Sequence, residues 1–318
     1  RDDVQYYRSL YNVEQVEILR GPNALLFGRG GTGGIINRVS KKATLGETFG
    51  SVDFGLDSFG ANDIAVDYNT GTSGDSAVRI MLHSDSLENH RDHYDGTRLG
   101  FNPTIKIKMN ESTTLDLSYE YADHERYIDR GIPTENGEPV ERFEKITFGG
   151  DDNLTTLKAN ILRATLSKVF SDTRKGNLSI VSSDFEKMYK NYYASGYTAG
   201  ATVVTMDGYL DPTERENTII SGNIVNEVGN HTLLVGVELI DTTNENFRYN
   251  TFWSTTSDDN EVFNITRPMD FSVNSAGVAT SNDFTPTSLL SYTSGSSAAA
   301  DAVNFLYCSP DLGKKLSL

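Results

Sequence analysis

Nine stretches between residues 49 and 247 alternate apolar and polar residues with a period of two. They cover 49–58, 63–70, 77–85, 98–109, 114–123, 155–172, 176–193, 216–229 and 231–247. In FGSVDFGLDS, Val52, Phe54 and Leu56 stand against Ser51, Asp53 and Asp57. A strand turns successive side chains to opposite faces, so this pattern predicts strands with one apolar and one polar face. Residues 155–172 also fit a helix through Leu157, Ile161 and Leu162, but the neighbouring stretches favour a strand.

The connections differ in length by end. GTSGD, MNEST, SDTRKG and VGN are tight, whereas 86–96, 124–153, 194–215 and the chain from 248 are long, with SFGA the short exception. Strands of about ten residues with short turns at one end and long loops at the other describe a transmembrane β-barrel. A soluble β-sandwich shares the alternation, and the one-sided loops favour the barrel. No run of about 18 apolar residues forms a transmembrane helix. Cys308 is the single cysteine, so the chain has neither an internal disulfide nor a CxxC motif. The net charge of −16 argues against nucleic acid as a partner. Residues 1–45 hold seven Lys/Arg and four Asp/Glu, against 21 and 40 in the remainder. We therefore divide the chain into 1–45 and 46–318.

The first unit contains RGPNALLFGRGGTGGIINRVSKKAT, with Gly28, Gly30 and Gly33 in the spacing G-x-G-x-x-G. A dinucleotide site needs a helix opening on those glycines. Here the glycines run instead into the strand-like GIINRVS, and no Gly-Lys-Ser/Thr is present, so a nucleotide loop is rejected. The better reading is structural. Residues 13–19 and 35–39 form strands. Gly21-Pro22 opens a single turn through Phe27, and Gly28 ends it.

These residues carry a resemblance. VEILRGP (16–22), ALLFGRG (24–30) and GGIINRVSKK (33–42), in that order, resemble the C-terminal part of the plug domain of TonB-dependent outer-membrane receptors. The motif positions are Arg20, Gly21, Pro22, Gly28, Gly30, Gly33, Gly34 and Asn37. DRGIPTENGEPV and FGGDDN further resemble the ferric-siderophore branch. The resemblance implies part of a small α+β plug inside a large antiparallel barrel, 22-stranded in the family, of which about nine strands are present here. It also implies import of ferric siderophore driven by the TonB complex, a multi-pass location in the Gram-negative outer membrane, and lipopolysaccharide as a neighbour. Haem, vitamin B12 or oligosaccharide cargo and a passive porin-like barrel stay open. Nine strands leave an open edge, which hydrocarbon does not tolerate, so the chain is expected to be a fragment. It would lack the front of the plug, the TonB box, the signal peptide and more than half of the barrel. Residues from about 290 to 318, with LYCSPDLGKKLSL, show no strand alternation and read as an aberrant or frame-shifted tail.

No catalytic constellation is present, and no enzyme, metal site or covalently bound cofactor is expected. His90 and His93, in ENHRDHYDG, read as a solvated loop. Iron arrives wrapped in its chelator, so the site should offer aromatic faces and a few polar donors. The candidates on the long loops are Tyr127 and Arg130, then Tyr192, Tyr193 and Tyr197, then Phe252 and Trp253. The alternative for such aromatics is the interfacial girdle. Tyr192 and Tyr193 are neighbours and must face opposite ways. Residues 123–152 hold nine Asp/Glu and four Lys/Arg, which leans toward a neutral or cationic hydroxamate chelate over a catecholate. Glu14, Glu17 and Arg20 should form ion pairs in the plug or with the wall. Lys41-Lys42 should link plug to barrel at the periplasmic rim.

Overall fold

The computed structural model describes residues 9–21, 33–71, 74–149, 153–253, 256–265, 282–285 and 303–310. Two strands come first, β1 (Val13–Arg20) and β2 (Gly34–Ser40), paired antiparallel from Val13↔Ser40 to Arg20↔Gly34. Both match the sequence expectation. Gly34 has φ +148°, and a Cβ there would lie 2.7 Å from the Leu19 carbonyl oxygen, so no other residue fits this edge. Pro22, Gly28, Gly30 and the turn expected between them lie outside the described residues.

A large antiparallel sheet comes next. Its strands run β3 (Thr48–Leu56), β4 (Asn62–Thr70), β5 (Ser76–Glu88), β6 (Asp95–Asn110) and β7 (Thr113–Tyr127). A small hairpin, β8 (Thr134–Glu135) and β9 (Glu138–Pro139), and a 3₁₀ turn at Glu141–Phe143 occupy the long connection. The sheet resumes with β10 (Leu154–Ser171), β11 (Arg174–Gly196), β12 (Val203–Val228) and β13 (His231–Asn246). Each of the nine pairs with its neighbour in sequence, as a barrel wall requires. No described pairing closes the sheet on itself.

Short strands complete it. β14 (Tyr249–Trp253) and β15 (Glu261–Asn264) pair with the first part of β12, and β16 (Asn282–Thr285) pairs with β14. β17 (Val303–Pro310) pairs with β13 from Glu238↔Val303 to His231↔Pro310. VNFLYCSP is thus a strand on the edge of β13, although its sequence carries no alternation.

The sheet is inside out relative to a soluble protein. On β5, Arg79, Met81, His83 and Asp85 are buried, while Val78, Ile80 and Leu82 are exposed. Leu82 is 43% exposed beside Met81 at 0%. Exposed apolar residues continue as Phe101 and Ile105 on β6, Leu178 and Ile180 on β11, and Val235 and Val237 on β13. Buried polar residues with an apolar belt outside are what a wall in lipid needs. We call the face that carries the described residues between 9 and 47 the inner face.

Candidate functional site

Two groups of charged and aromatic residues assemble on the inner face. The first lies toward the tight-turn end and joins residues 9–47 to the wall. Arg79 donates from Nε and Nη2 to the two Asp67 carboxylate oxygens, each at 2.7 Å. Lys41 Nζ donates to the same carboxylate at 2.9 Å. Arg79 Nη1 donates to the Lys42 carbonyl at 3.1 Å and lies 4.0 Å from Glu14. Asn69 is fully buried and donates to the carbonyls of Thr44, at 3.0 Å, and Glu47, at 2.9 Å. Farther along, Tyr11 stacks on His83 at 5.1 Å and Asn12 donates to Asn102 at 3.2 Å. Gly100 lies beneath Tyr11, where a Cβ would come within 2.6 Å of the ring. Glu14 thus meets a wall charge. Glu17 instead accepts from Asn37 at 2.8 Å, within the β1–β2 pair.

The second group lies at the long-loop end. The outward side chains of β11 and β12 turn polar at Asp184, Glu186, Glu214 and Glu216, so everything beyond them stands clear of the apolar belt. There Tyr193 pairs with Asp207 and Asn191 with Tyr209, all facing inward. Arg130 donates to Asn191 Oδ1 at 3.1 Å and to the Tyr209 hydroxyl at 3.0 Å, with its guanidinium 4.5 Å from the Tyr193 ring. Arg248 stacks on Tyr209 at 3.8 Å and lies 3.7 Å from Asp211. Tyr189 stacks on Tyr209 at 5.9 Å. The result is a rigid aromatic surface edged by two guanidinium groups, suited to a planar or anionic ligand.

Burial sets the protonation here. It pushes the Tyr193 phenol up to about 12, helped by the bond it donates to Asp207 at 2.8 Å. Burial also raises Asp211, against the pull of Arg248 and Lys187, and lowers Lys187. The folded Tyr193 value exceeds its unfolded one near 10, so its contribution to stability is complete below pH 10 and lost as pH rises through about 12. Asp207→Asn is expected to move phenolate formation at Tyr193 to lower pH. Difference absorbance between the variant and Tyr193→Phe measures this, and an unmoved titration would remove Asp207 as a cause.

The structure separates the candidates. Arg130 and Tyr193 come together. Tyr127, Tyr192 and Trp253 do not: each is at most 2% exposed. Tyr192 and Trp253 lie in an apolar cluster with Phe143, Phe148, Val204, Met206 and Phe263. In this arrangement they pack as core residues and present no open ring face. β11 continues through Tyr192, and Phe143 and Phe148 of the long connection pack in the same cluster. Tyr197 packs edge-on against Phe143 and accepts a bond from Arg142 at 2.6 Å. The Phe252 side chain lies outside the described residues.

Sequence reasoning misses Tyr209, Tyr189, Arg248 and Asn191. Gly208 and Pro212 give residues 194–215 the look of a loop. In fact Pro212 stands where β12 changes partner, between Thr213↔Asn246 and Leu210↔Tyr249. The absent N–H is tolerated at that gap, as at a sheet edge. The period-two spacing of Tyr209, Asp211 and Thr213 is the available signal. Among the described residues, no group of three or more His, Cys, Asp or Glu is placed to hold a metal ion.

Comparison with known proteins gives this geometry a context. Over 204 residues, 62% of the chain, it is 30% identical to the metal-pseudopaline receptor CntO of Pseudomonas aeruginosa. Over 162 residues, 48% of the chain, it is 29% identical to the probable TonB-dependent siderophore receptor PiuA of Acinetobacter baumannii. The crystal structure of PiuA superposes with a TM-score of 0.73 at 18% identity, covering 97% of this chain and 52% of that one. In sequence this chain is similar to TonB-dependent receptors, and it shares the fold of their barrel wall. The pyoverdine receptor FpvA of Pseudomonas aeruginosa superposes on it with a TM-score of 0.72 at 19% identity, over 89% of this chain and 41% of that one. No protein-family model matches the chain. The matches span about a quarter of the curated relatives' lengths, 27% of CntO and 22% of PiuA. These relatives are receptors, not enzymes.

Proposed function

We propose that this chain forms part of an outer-membrane receptor that imports a ferric siderophore with energy delivered through TonB. The Arg130–Tyr209–Arg248 group carries the reading. It lies on the face that also holds residues 9–47, and it stands beyond the apolar belt, where cargo would arrive from outside. Residues 9–47 act as part of a plug docked on the wall. The relatives named for siderophores and metals support the same class.

On cargo, two observations pull apart. The acid-rich stretch 123–152 favours a neutral or cationic hydroxamate chelate. Two guanidinium groups over one tyrosine favour an anionic chelate, a catecholate among them. Asp129 is already held by Arg91 at 2.7 and 2.9 Å, and Arg248 lies 3.7 Å from Asp211, so both charges are partly offset. Growth rescue of an iron-starved host, tested on ferric hydroxamates and ferric catecholates with and without TonB, separates the readings. Rescue that persists without TonB would sink the energised-receptor class.

Arg130→Ala is expected to weaken chelate binding by about 1.5–3 kcal/mol, roughly ten- to a hundredfold in Kd. Fluorescence quenching on titration with ferric chelate measures it. Unchanged affinity would move the site off this wall.

A further inference from the structure

The outer face carries a feature that cargo import does not use. Near the turn at residues 172–173, a groove of about 440 Å³ crosses β10–β13. Its floor is set by Gly176 and Gly222, which stand opposite Ile224 and Leu178 respectively, so each row of the sheet lacks one outward side chain. Leu178, Ile224, Val235 and Val237 wall it, each more than two-fifths exposed. At its turn-side mouth, Lys168 stands opposite Gly176, with its ammonium 5.7 Å from the Phe170 ring. Arg174 is next along the same face, its Nε donating to Asn226 at 3.0 Å. Among the described residues, neither cation has a carboxylate partner.

We infer that this groove holds one acyl chain of an anionic phospholipid, with the headgroup phosphate taken by Lys168 and Arg174. Position and charge select that occupant. Short turns of such barrels face the periplasm, so the cations stand at the headgroup level of the periplasmic leaflet, which is built of phospholipid. Basic side chains at that level attract anionic headgroups while their stems lie on apolar surface. An apolar trough continuous with a basic mouth matches an amphiphile with one negative end.

The test is native mass spectrometry of the protein in non-ionic detergent, titrated with phosphatidylglycerol, phosphatidylcholine of the same acyl chains, or lipopolysaccharide. Phosphatidylglycerol is expected to be retained at roughly thirtyfold lower concentration than phosphatidylcholine, from two cations near the surface. The double variant Lys168→Gln/Arg174→Gln should bring the two lipids to parity. Gly222→Leu should lose both lipids by filling the trough, since a Cβ there meets the Leu178 methyl at an ordinary 3.6 Å. Heat-modifiable migration on gels confirms that each variant is folded, and the glutamine pair decides if Gly222→Leu is not. Equal retention of the two phospholipids, preference for lipopolysaccharide, or a preference that survives the glutamine pair would each overturn the assignment.

Discussion

Trp253→Ala is expected to destabilise the long-loop end by about 3–5 kcal/mol, the usual loss for a large aromatic removed from a packed core. Trp253 is fully buried, 5.3 Å from the Phe263 ring and 5.9 Å from Tyr192. Its indole N–H donates to the Asp259 carbonyl at 3.1 Å, which ties β14 to the segment after it. Without it, the covering formed by β14 and β15 loses its anchor on β12. Limited proteolysis of intact protein should then cut within residues 249–265 at a much higher rate, while Trp253→Phe restores most of the protection. Chelate affinity should fall only as far as the covering loosens. Wild-type protease resistance combined with lost affinity would return Trp253 to the role of a ligand contact, and with it the sequence reading.

Asp67→Ala removes the shared anion of Arg79 and Lys41. Both partners stay in place, and Arg79 is only 8% exposed. A buried pair broken from one side costs about 3–5 kcal/mol, and Glu14, exposed and 4.0 Å from Arg79, offsets only part of it. The expected result is a lower denaturant midpoint and release of residues 9–47 from the wall. Hydrogen exchange at the Thr44 amide, which donates to Asn69 Oδ1 of the wall at 2.9 Å, reports that release directly. An apolar pair, Asp67→Leu with Arg79→Met, should recover much of the midpoint, because desolvating the ion pair offsets most of its attraction. It should not recover the Lys41 contact. A single Asp67→Ala variant with unchanged exchange at the Thr44 amide would show that Asn69 and the stacked Tyr11 hold the segment by themselves.

The two variants mark where sequence reasoning works and where it stops. Asp67 falls at the polar phase of an alternating stretch, and Lys41 closes the plug-like motif, so a charge link between the units is legible in the sequence. Its third member, Arg79, belongs to AVRIMLHSD, where the alternation is equally plain. Trp253 gives no comparable signal. An aromatic at a strand end serves a girdle, a ligand or a core, and composition does not separate the three.

The nine wall strands, the paired strands β1 and β2 and the alternation of tight and long connections were all determined by local chemistry: period-two patterning, turn residues and glycines at tight approaches. Periodicity has no sign, however. It states that two faces differ and leaves open which one is covered. The docking of residues 9–47 on Asp67, Asn69, Arg79 and Asn102 decided that the polar face is the inner one. The same holds for Tyr192 and Tyr193. Adjacent residues on a strand must diverge, but only the packing of Phe143, Phe148 and Trp253 against one side of β11 made the first a core residue and left the second facing Arg130. Those partners lie tens of residues away in the chain, so their effect exists only once the long connections have folded back over the wall.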